Sequence, residues 1–344
     1  MTNRNENLDR QSRLTICFVA DGGIQIGMGH IQQSITLANR LQVATTFFIT
    51  KSDEMVLQFI REAGFNAARF QNDIEIFECL KSLNPDIIIF DKIDVDEKLA
   101  KKIRSELVSR LIIFTNLTSA NRHAHIAVLP RSENLYVDPI SRFKNISYIN
   151  QTTLTHYFFG PKYWILRPEF FEYKKLNKIT PKTIEHILVA FGGSDPTNLT
   201  CQVLERLLNN NFSYKIDIVL GQKFCFHNEV SAILNKFIDK KENISLHSNI
   251  KNMAELLYGA NLVITAAGMT MFEALCVGTP VIVIPQDQLQ KDTYQGVVRM
   301  LEIDCLGDLE MMIGDSDFSY SDDPSIMEMN IGEGVQELVD AILA

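Results

Sequence analysis

The sequence predicts an α/β protein built as two Rossmann-type halves with a cleft between them, and three observations carry this. Short, continuously apolar runs alternate with helical patterns. Strands apolar at every position are covered on both faces, which means a parallel sheet with helices on either side. Glycine-rich turns follow strands in both halves of the chain. The length, 344 residues, exceeds what one compact core usually holds.

In the first half, LTICFVA (14–20) is a β-rich run ending in Asp21-Gly22-Gly23. From His30 to Leu41, Ile31, Ile35, Leu37, Ala38 and Leu41 recur at helical spacing. VATTFFIT (43–50) is the next strand, and residues 54–64 form a helix closed by Gly64. IEIFECLKSL forms a further helix, stopped at Asn84-Pro85. DIIIFD is a strand whose last acid, Asp91, lies at its carboxyl end. A charged helix at 96–109 and the apolar runs 111–116 and 126–130 complete this half. Residues 131–185 break the rhythm with Pro139, Pro161, Pro168, Pro181 and many aromatics, and 161–185 reads as a linker. HILVAFGG (186–193) restarts the alternation. Helices near 198–209, 228–238, 251–259 and 270–277 follow, with YKIDIVLG, ISLH, LVITAAG and VIVIP as strands. The expected layout is a polar tail (1–13), a first domain (14–160), the linker (161–185), a second domain (186–325) and a terminal helix (326–344).

Composition narrows the function. Thirty-three basic and 42 acidic residues give a net charge of −9. That argues against broad nucleic-acid binding, which needs a cationic surface. With 46% hydrophobic residues, the chain is neither disordered nor a disulfide scaffold. None of Cys17, Cys79, Cys201, Cys225, Cys276 and Cys305 stands in a CxxC pair, so a zinc ribbon is not expected. His123 and His125, two apart, suggest a metal pair only if they lie on a strand. No P-loop, HExxH or GxSxG motif occurs. No metal or other cofactor is expected. The N-terminus lacks an apolar signal region and no run is long enough to span a membrane, so the expectation is a cytoplasmic protein. Residues 302–328 hold nine acids without lysine or arginine and read as a solvated face or loop, with an interaction surface as the alternative.

The chemistry-bearing residues gather at strand ends. Asp21 to His30 joins a strand to a helix, and Gly27 and Gly29 permit close backbone approach to a ligand. A helix start favours an anion and disfavours the imidazolium form of His30. A neutral His30 can then accept a proton from water or a hydroxyl. Asp21 could orient His30, hold a substrate group, or serve as a turn acid. Phe191-Gly192-Gly193-Ser194-Asp195 repeats the arrangement, as does Ala267-Gly268-Met269-Thr270. Glu273, three residues after Thr270, is either a capping-box acid or a contact to a sugar hydroxyl. Asp287 and Gln288 add a polar rim after the last strand.

Three stretches together carry a resemblance: Gly27-Met28-Gly29-His30 with upstream Asp21, FGGSDPTNLT (191–200), and ITAAGMTMFEALCVGTPVIVIP (264–285). With GPKYWILRPEF (160–170), they resemble the UDP-sugar hydrolases of pseudaminic acid biosynthesis and the related spore-coat polysaccharide proteins. The resemblance spans about residues 14–300. It implies a GT-B-like fold with a MurG-like second domain and hydrolysis of a UDP-linked diacetamido-trideoxy sugar to UDP and free sugar. It further implies that His30 activates water and Asp21 lies in the sugar-side loop. Gly268, Met269 and Thr270 would face the diphosphate, Glu273 the nucleotide sugar, and Gly192 and Gly193 the cleft. Gln33 and Asp91 stand at sugar-side positions. Two arginines usual in that family are Val19 and Gln33 here, Asp91-Lys92 replaces another strand-end motif, and Asn116 replaces a common aspartate. Losing two guanidinium forks implies a changed sugar or a lost activity. Two alternatives follow from the same residues: an inverting GT-B glycosyltransferase using a nucleotide sugar, and a non-catalytic nucleotide-sugar binder. The UDP-sugar partner rests on the resemblance.

Overall fold

The computed structural model describes residues 14–23, 26–42, 45–130, 145–179, 183–209, 214–292 and 329–344. The polar tail, the acidic stretch 302–328, Pro139, Pro181 and Cys305 lie outside them. The chain divides into two compact units, one of residues 1–165 with 332–344 and one of residues 166–331.

The first unit runs β1 (Thr15–Ala20), α1 (Gly29–Leu41), β2 (Thr45–Thr50), α2 (Glu54–Glu62), β3 (Asn66–Arg69), α3 (Asp73–Leu83), β4 (Ile87–Asp91), α4 (Glu97–Glu106), β5 (Arg110–Phe114), β6 (Ile126–Leu129), β7 (Ile146–Ile149) and β8 (His156–Phe159). The sheet order is β3-β2-β1-β4-β5-β6-β8-β7, with only β7 antiparallel to its neighbour. β1 and β4 are apolar at nearly every position, and their side chains fill cores on both faces of the sheet. Burial of that surface, at about 25 cal/mol per Å², is what holds a two-sided sheet together. Asp53, Asn72 and Asp96 cap α2, α3 and α4 through hydrogen bonds to backbone N–H groups. No side chain caps α1.

The second unit begins with α5 (Pro168–Lys174) and continues β9 (His186–Ala190), α6 (Leu199–Asn209), β10 (Lys215–Leu220), α7 (His227–Lys236), β11 (Ile244–Ser248), α8 (Met253–Gly259), β12 (Leu262–Thr265), α9 (Met269–Cys276) and β13 (Val281–Val283). Its sheet, β11-β10-β9-β12-β13, is entirely parallel. The final helix, α10 (Val335–Leu343), returns to the first unit. There Val335, Leu338, Val339 and Ile342 join the core beside α1, and the Glu337 carboxylate accepts from Lys162 Nζ at 2.9 Å.

The structure differs from the sequence pattern at three places. Of the stretch 161–185 expected as a linker, residues 161–165 belong to the first unit and α5 lies in the second. β3, with the polar sequence NAAR, is a sheet-edge strand that has no apolar run to announce it. His123 and His125 are not on a strand; His123 ends a short 3-10 turn and lies 3.2 Å from Glu97, while His125 follows that turn and its Nδ1 accepts from the Leu111 amide. Among the described residues, no three His, Cys, Asp or Glu side chains group to hold a metal, and no helix is long and apolar enough to cross a membrane.

Candidate active site

Parallel strands place all their carboxyl ends on one edge, and the helix that follows each strand starts there. In the first unit that edge carries Asp21 after β1, Asp91 and Lys92 at the end of β4, and Thr115 after β5. The turn after β1 closes on itself through Gly23 N–H donating to Gly27 O at 2.9 Å. Both glycines have positive φ (135° and 74°), which side-chain-bearing residues rarely adopt. This turn delivers His30 to the second position of α1.

His30 Nδ1 lies 2.8 Å from Asp91 Oδ1. Asp91 is only 2% exposed and its carboxylate is saturated with donors. Oδ1 also accepts from Thr115 Oγ1 at 2.8 Å, and Oδ2 accepts from Gln33 Nε2 at 2.8 Å and Ser34 Oγ at 3.3 Å. A buried carboxylate held this way stays in one orientation. With Nδ1–H donating to Asp91, the ring's remaining nitrogen, Nε2, keeps its lone pair. Asp91 and Gln33 were expected to contact substrate. In the structure both are buried, and the Gln33 amide donates to Asp91.

Asp21 does not orient His30. Its carboxylate accepts from Lys92 Nζ at 2.8 Å, Thr50 Oγ1 at 3.0 Å and the Lys51 amide at 2.6 Å. Burial opposes charge on both members of the Asp21–Lys92 pair. Yet Lys92, with the Lys51 and Thr50 bonds, holds Asp21 below the usual carboxylate range, and Asp21 holds Lys92 above the usual lysine range. Val19 is fully buried in the sheet core, so Lys92 is the cation beside Asp21 on this edge. Asn116 is buried, and its side chain accepts from the Val95 amide, tying the β5 end to the loop after β4.

The second unit has two glycine turns on its own carboxyl edge. Gly192 (φ 79°) and Gly193 follow β9, and Asp195 then accepts from the Leu199 and Thr200 amides, at 2.9 and 2.8 Å, to start α6. Gln286 Nε2 donates to Asp195 Oδ1 at 3.1 Å. It is therefore Gln286, rather than Asp287 or Gln288, that reaches this turn. Asp287 is exposed and caps its own turn through the Gln290 amide, and Gln288 donates to Asp292. Gly221, absent from the expectations, lets the end of β10 pass under the same turn: a Cβ there would stand 2.3 Å from Gly192 O and 2.4 Å from Gly193 O. Both obstacles are backbone, so Gly221→Ala should cost about 1–3 kcal/mol through forced displacement. Chemical denaturation of the variant measures it. No local sequence pattern marks Gly221, because its constraint comes from residues about 28 positions away.

Gly268 precedes α9 and no side chain caps that helix. The Thr270–Glu273 capping box does not form. Glu273 is 9% exposed and sits 3.8 Å from the Arg167 guanidinium. Burial pushes its carboxyl from 4.5 up to about 7, against the pull of Arg167 and with a further push from Glu169. Half-buried Gly268, Met269 and Thr270 form the uncapped start of α9, whose N–H groups and positive dipole end suit an anion.

Elsewhere in this unit, His186 and His247 converge on buried Asp217 from neighbouring strands, at 2.7 and 3.2 Å. Their separation along the chain hid this cluster.

Two Rossmann-type units, each with a glycine turn and an uncapped helix start on a carboxyl edge, define a GT-B-like protein. Residues 186–297 match the glycosyltransferase family 28 C-terminal domain. Acinetobacter baumannii MurG shares the fold over 96% of this chain and 99% of its own, with a TM-score of 0.60 at 14% identity. Anabaena HepE, in complex with UDP, does so over 96% of both chains with a TM-score of 0.51 at 12% identity. In sequence, the chain is 39% identical over 335 residues to the uncharacterized Methanocaldococcus jannaschii protein MJ1062. That alignment covers 96% of this chain and 66% of the relative, so the chain spans a little under two thirds of that protein's length. It is also 28% identical over 282 residues to the Bacillus subtilis spore coat polysaccharide biosynthesis protein SpsG, covering 80% of this chain and 78% of the relative.

Proposed function

We propose that the protein is an inverting glycosyltransferase that uses a nucleotide sugar, with His30 as the base on the acceptor hydroxyl. One observation carries this reading: Asp91 holds His30 by Nδ1 and leaves Nε2 as the basic nitrogen. In the proposed reaction Nε2 takes the acceptor proton as the acceptor oxygen attacks the anomeric carbon. The bond from that carbon to the diphosphate breaks, and the electron pair leaves with the nucleoside diphosphate. Asp91 balances the charge the ring then carries. The second unit would hold the nucleotide, with the α9 start meeting charge that develops on the departing diphosphate. Glu273, its carboxyl pushed up to about 7, is protonated in about half of the molecules near pH 7 and could then donate a hydrogen bond to a sugar or ribose hydroxyl. UDP as the nucleotide is supported by HepE, and a role in surface polysaccharide synthesis by SpsG.

Hydrolysis of a UDP-linked diacetamido-trideoxy sugar is the second reading. It rests on the sequence resemblance and on the fact that the same Nε2 can activate water. The glycosyltransferase likenesses favour the transferase.

The test is a panel of nucleotide sugars scored for released nucleotide, with and without polysaccharide precursors as acceptors. Acceptor-dependent release that falls about 10²–10⁴-fold in His30→Ala supports the transferase. Release without an acceptor identifies the hydrolase. Tight UDP binding with no turnover of any donor leaves only the non-catalytic binder.

A further inference from the structure

Thr115 is the one β-branched residue among the described non-glycine residues with positive φ; its φ is 56°. In that region the Cβ crowds the backbone, and a second substituent on Cβ worsens the clash. Asparagine accounts for most of the other cases, as its tolerance of the left-handed region leads one to expect. A strained residue persists where its surroundings over-determine it, and such residues gather at functional sites. Thr115 is 1% exposed, and its N–H donates to Val128 O at 2.9 Å, which ties the strained residue to β6.

The conformation brings Oγ1 between two members of the site. It lies 2.8 Å from Asp91 Oδ1 and 3.2 Å from His30 Nδ1. The carboxylate oxygen can only accept, so the Thr115 hydroxyl proton points at Asp91. The hydroxyl oxygen then turns lone pairs toward His30. Nδ1 thus faces two acceptors, Asp91 Oδ1 and Thr115 Oγ1, and must carry the ring proton.

We infer that Thr115 is a positioning residue that fixes the His30 ring, whose Nδ1–H tautomer Asp91 dictates, so that Nε2 is held in one direction as the base. The inference deepens the proposed function and rests on it for its catalytic consequence, whereas the fixed ring is a property of the protein alone. Asp91 by itself leaves the ring free to rock about one hydrogen bond; the second acceptor fixes its plane.

The experiment is long-range ¹H–¹⁵N NMR of histidine-labelled protein, with His30→Gln used to assign the signal. Wild type, Thr115→Ser and Thr115→Val are compared, and thermal melting confirms that each folds. The expected result is a single Nδ1–H tautomer in wild type and in the serine variant, which keeps the hydroxyl. Valine, of the same shape but without the hydroxyl, should keep that tautomer through Asp91 but shift the Nδ1–H signal and speed its exchange with water. On any donor that the panel identifies, Thr115→Val should lower kcat about tenfold with KM little changed, and serine should restore it. An Nδ1–H signal in Thr115→Val with the wild-type shift and exchange rate overturns the inference. If no donor is turned over but valine still loosens the Nδ1–H, the positioning role stands and the transferase reading fails.

Discussion

Replacing Asp91 by asparagine should lower turnover about 10²–10⁴-fold while leaving the fold intact. The Asp91 carboxylate receives four donors, two on each oxygen. An amide has one acceptor oxygen and one donor nitrogen. Gln33 and Ser34 hold the oxygen on their side, which directs the new –NH₂ at His30 and Thr115. His30 Nδ1 can then only accept, so the ring proton moves to Nε2 and the base is lost. KM for the donor should change little, because Asp91 does not reach the surface. Turnover with the donor that the panel identifies, measured for both proteins from pH 6 to 9, checks this. An Asp91→Asn enzyme with wild-type kcat would mean that His30 is not the base.

Replacing Glu273 by glutamine should change how stability depends on pH. The folded-state carboxyl has its pKa raised to about 7, whereas the unfolded chain titrates near 4.5. A raised pKa means that the native state prefers the proton. The associated stability is complete below about pH 4.5 and is lost as pH rises through 7. Each tenfold change in proton affinity corresponds to about 1.4 kcal/mol, so the loss is on the order of 3 kcal/mol. Glutamine mimics the protonated acid and cannot ionise. Relative to wild type, Glu273→Gln should therefore gain about 3 kcal/mol between pH 4.5 and 8. Urea unfolding at pH 5 and pH 8 measures the gain. A constant difference would show that Arg167, 3.8 Å away, keeps Glu273 ionised throughout. The same titration bears on function, since only the protonated acid can donate a hydrogen bond.

The sheet cores were legible because burial on two faces leaves an unmistakable pattern. A strand such as IIIF before Asp91 has no polar face to show. What escaped notice lacked that pattern: β3 is polar because it closes the sheet's edge, and β7 with β8 lies in a stretch rich in prolines and aromatics that resembled connecting chain. α5 was hidden for a related reason, since Pro168 reads as a break although proline at the first helical turn is well tolerated.

His30 was legible by its place at a helix start, but its partner was not. Asp21 stands nine residues away and Asp91 sixty-one. A parallel sheet makes β4, not the nearer turn, the neighbour of β1, and the register pairs Ala20 with Asp91. The sequence by itself determined the alternation of strands and helices, the glycine turns, and the residue types available at the strand ends, because these depend on local periodicity and backbone freedom. Tertiary structure alone decided which acid serves His30, that Lys92 neutralises Asp21, that burial raises the Glu273 carboxyl, and that Thr115 bears strain. Each of these depends on distances between segments far apart in the chain and on the exclusion of water around them, and neither is written in any local stretch of residues.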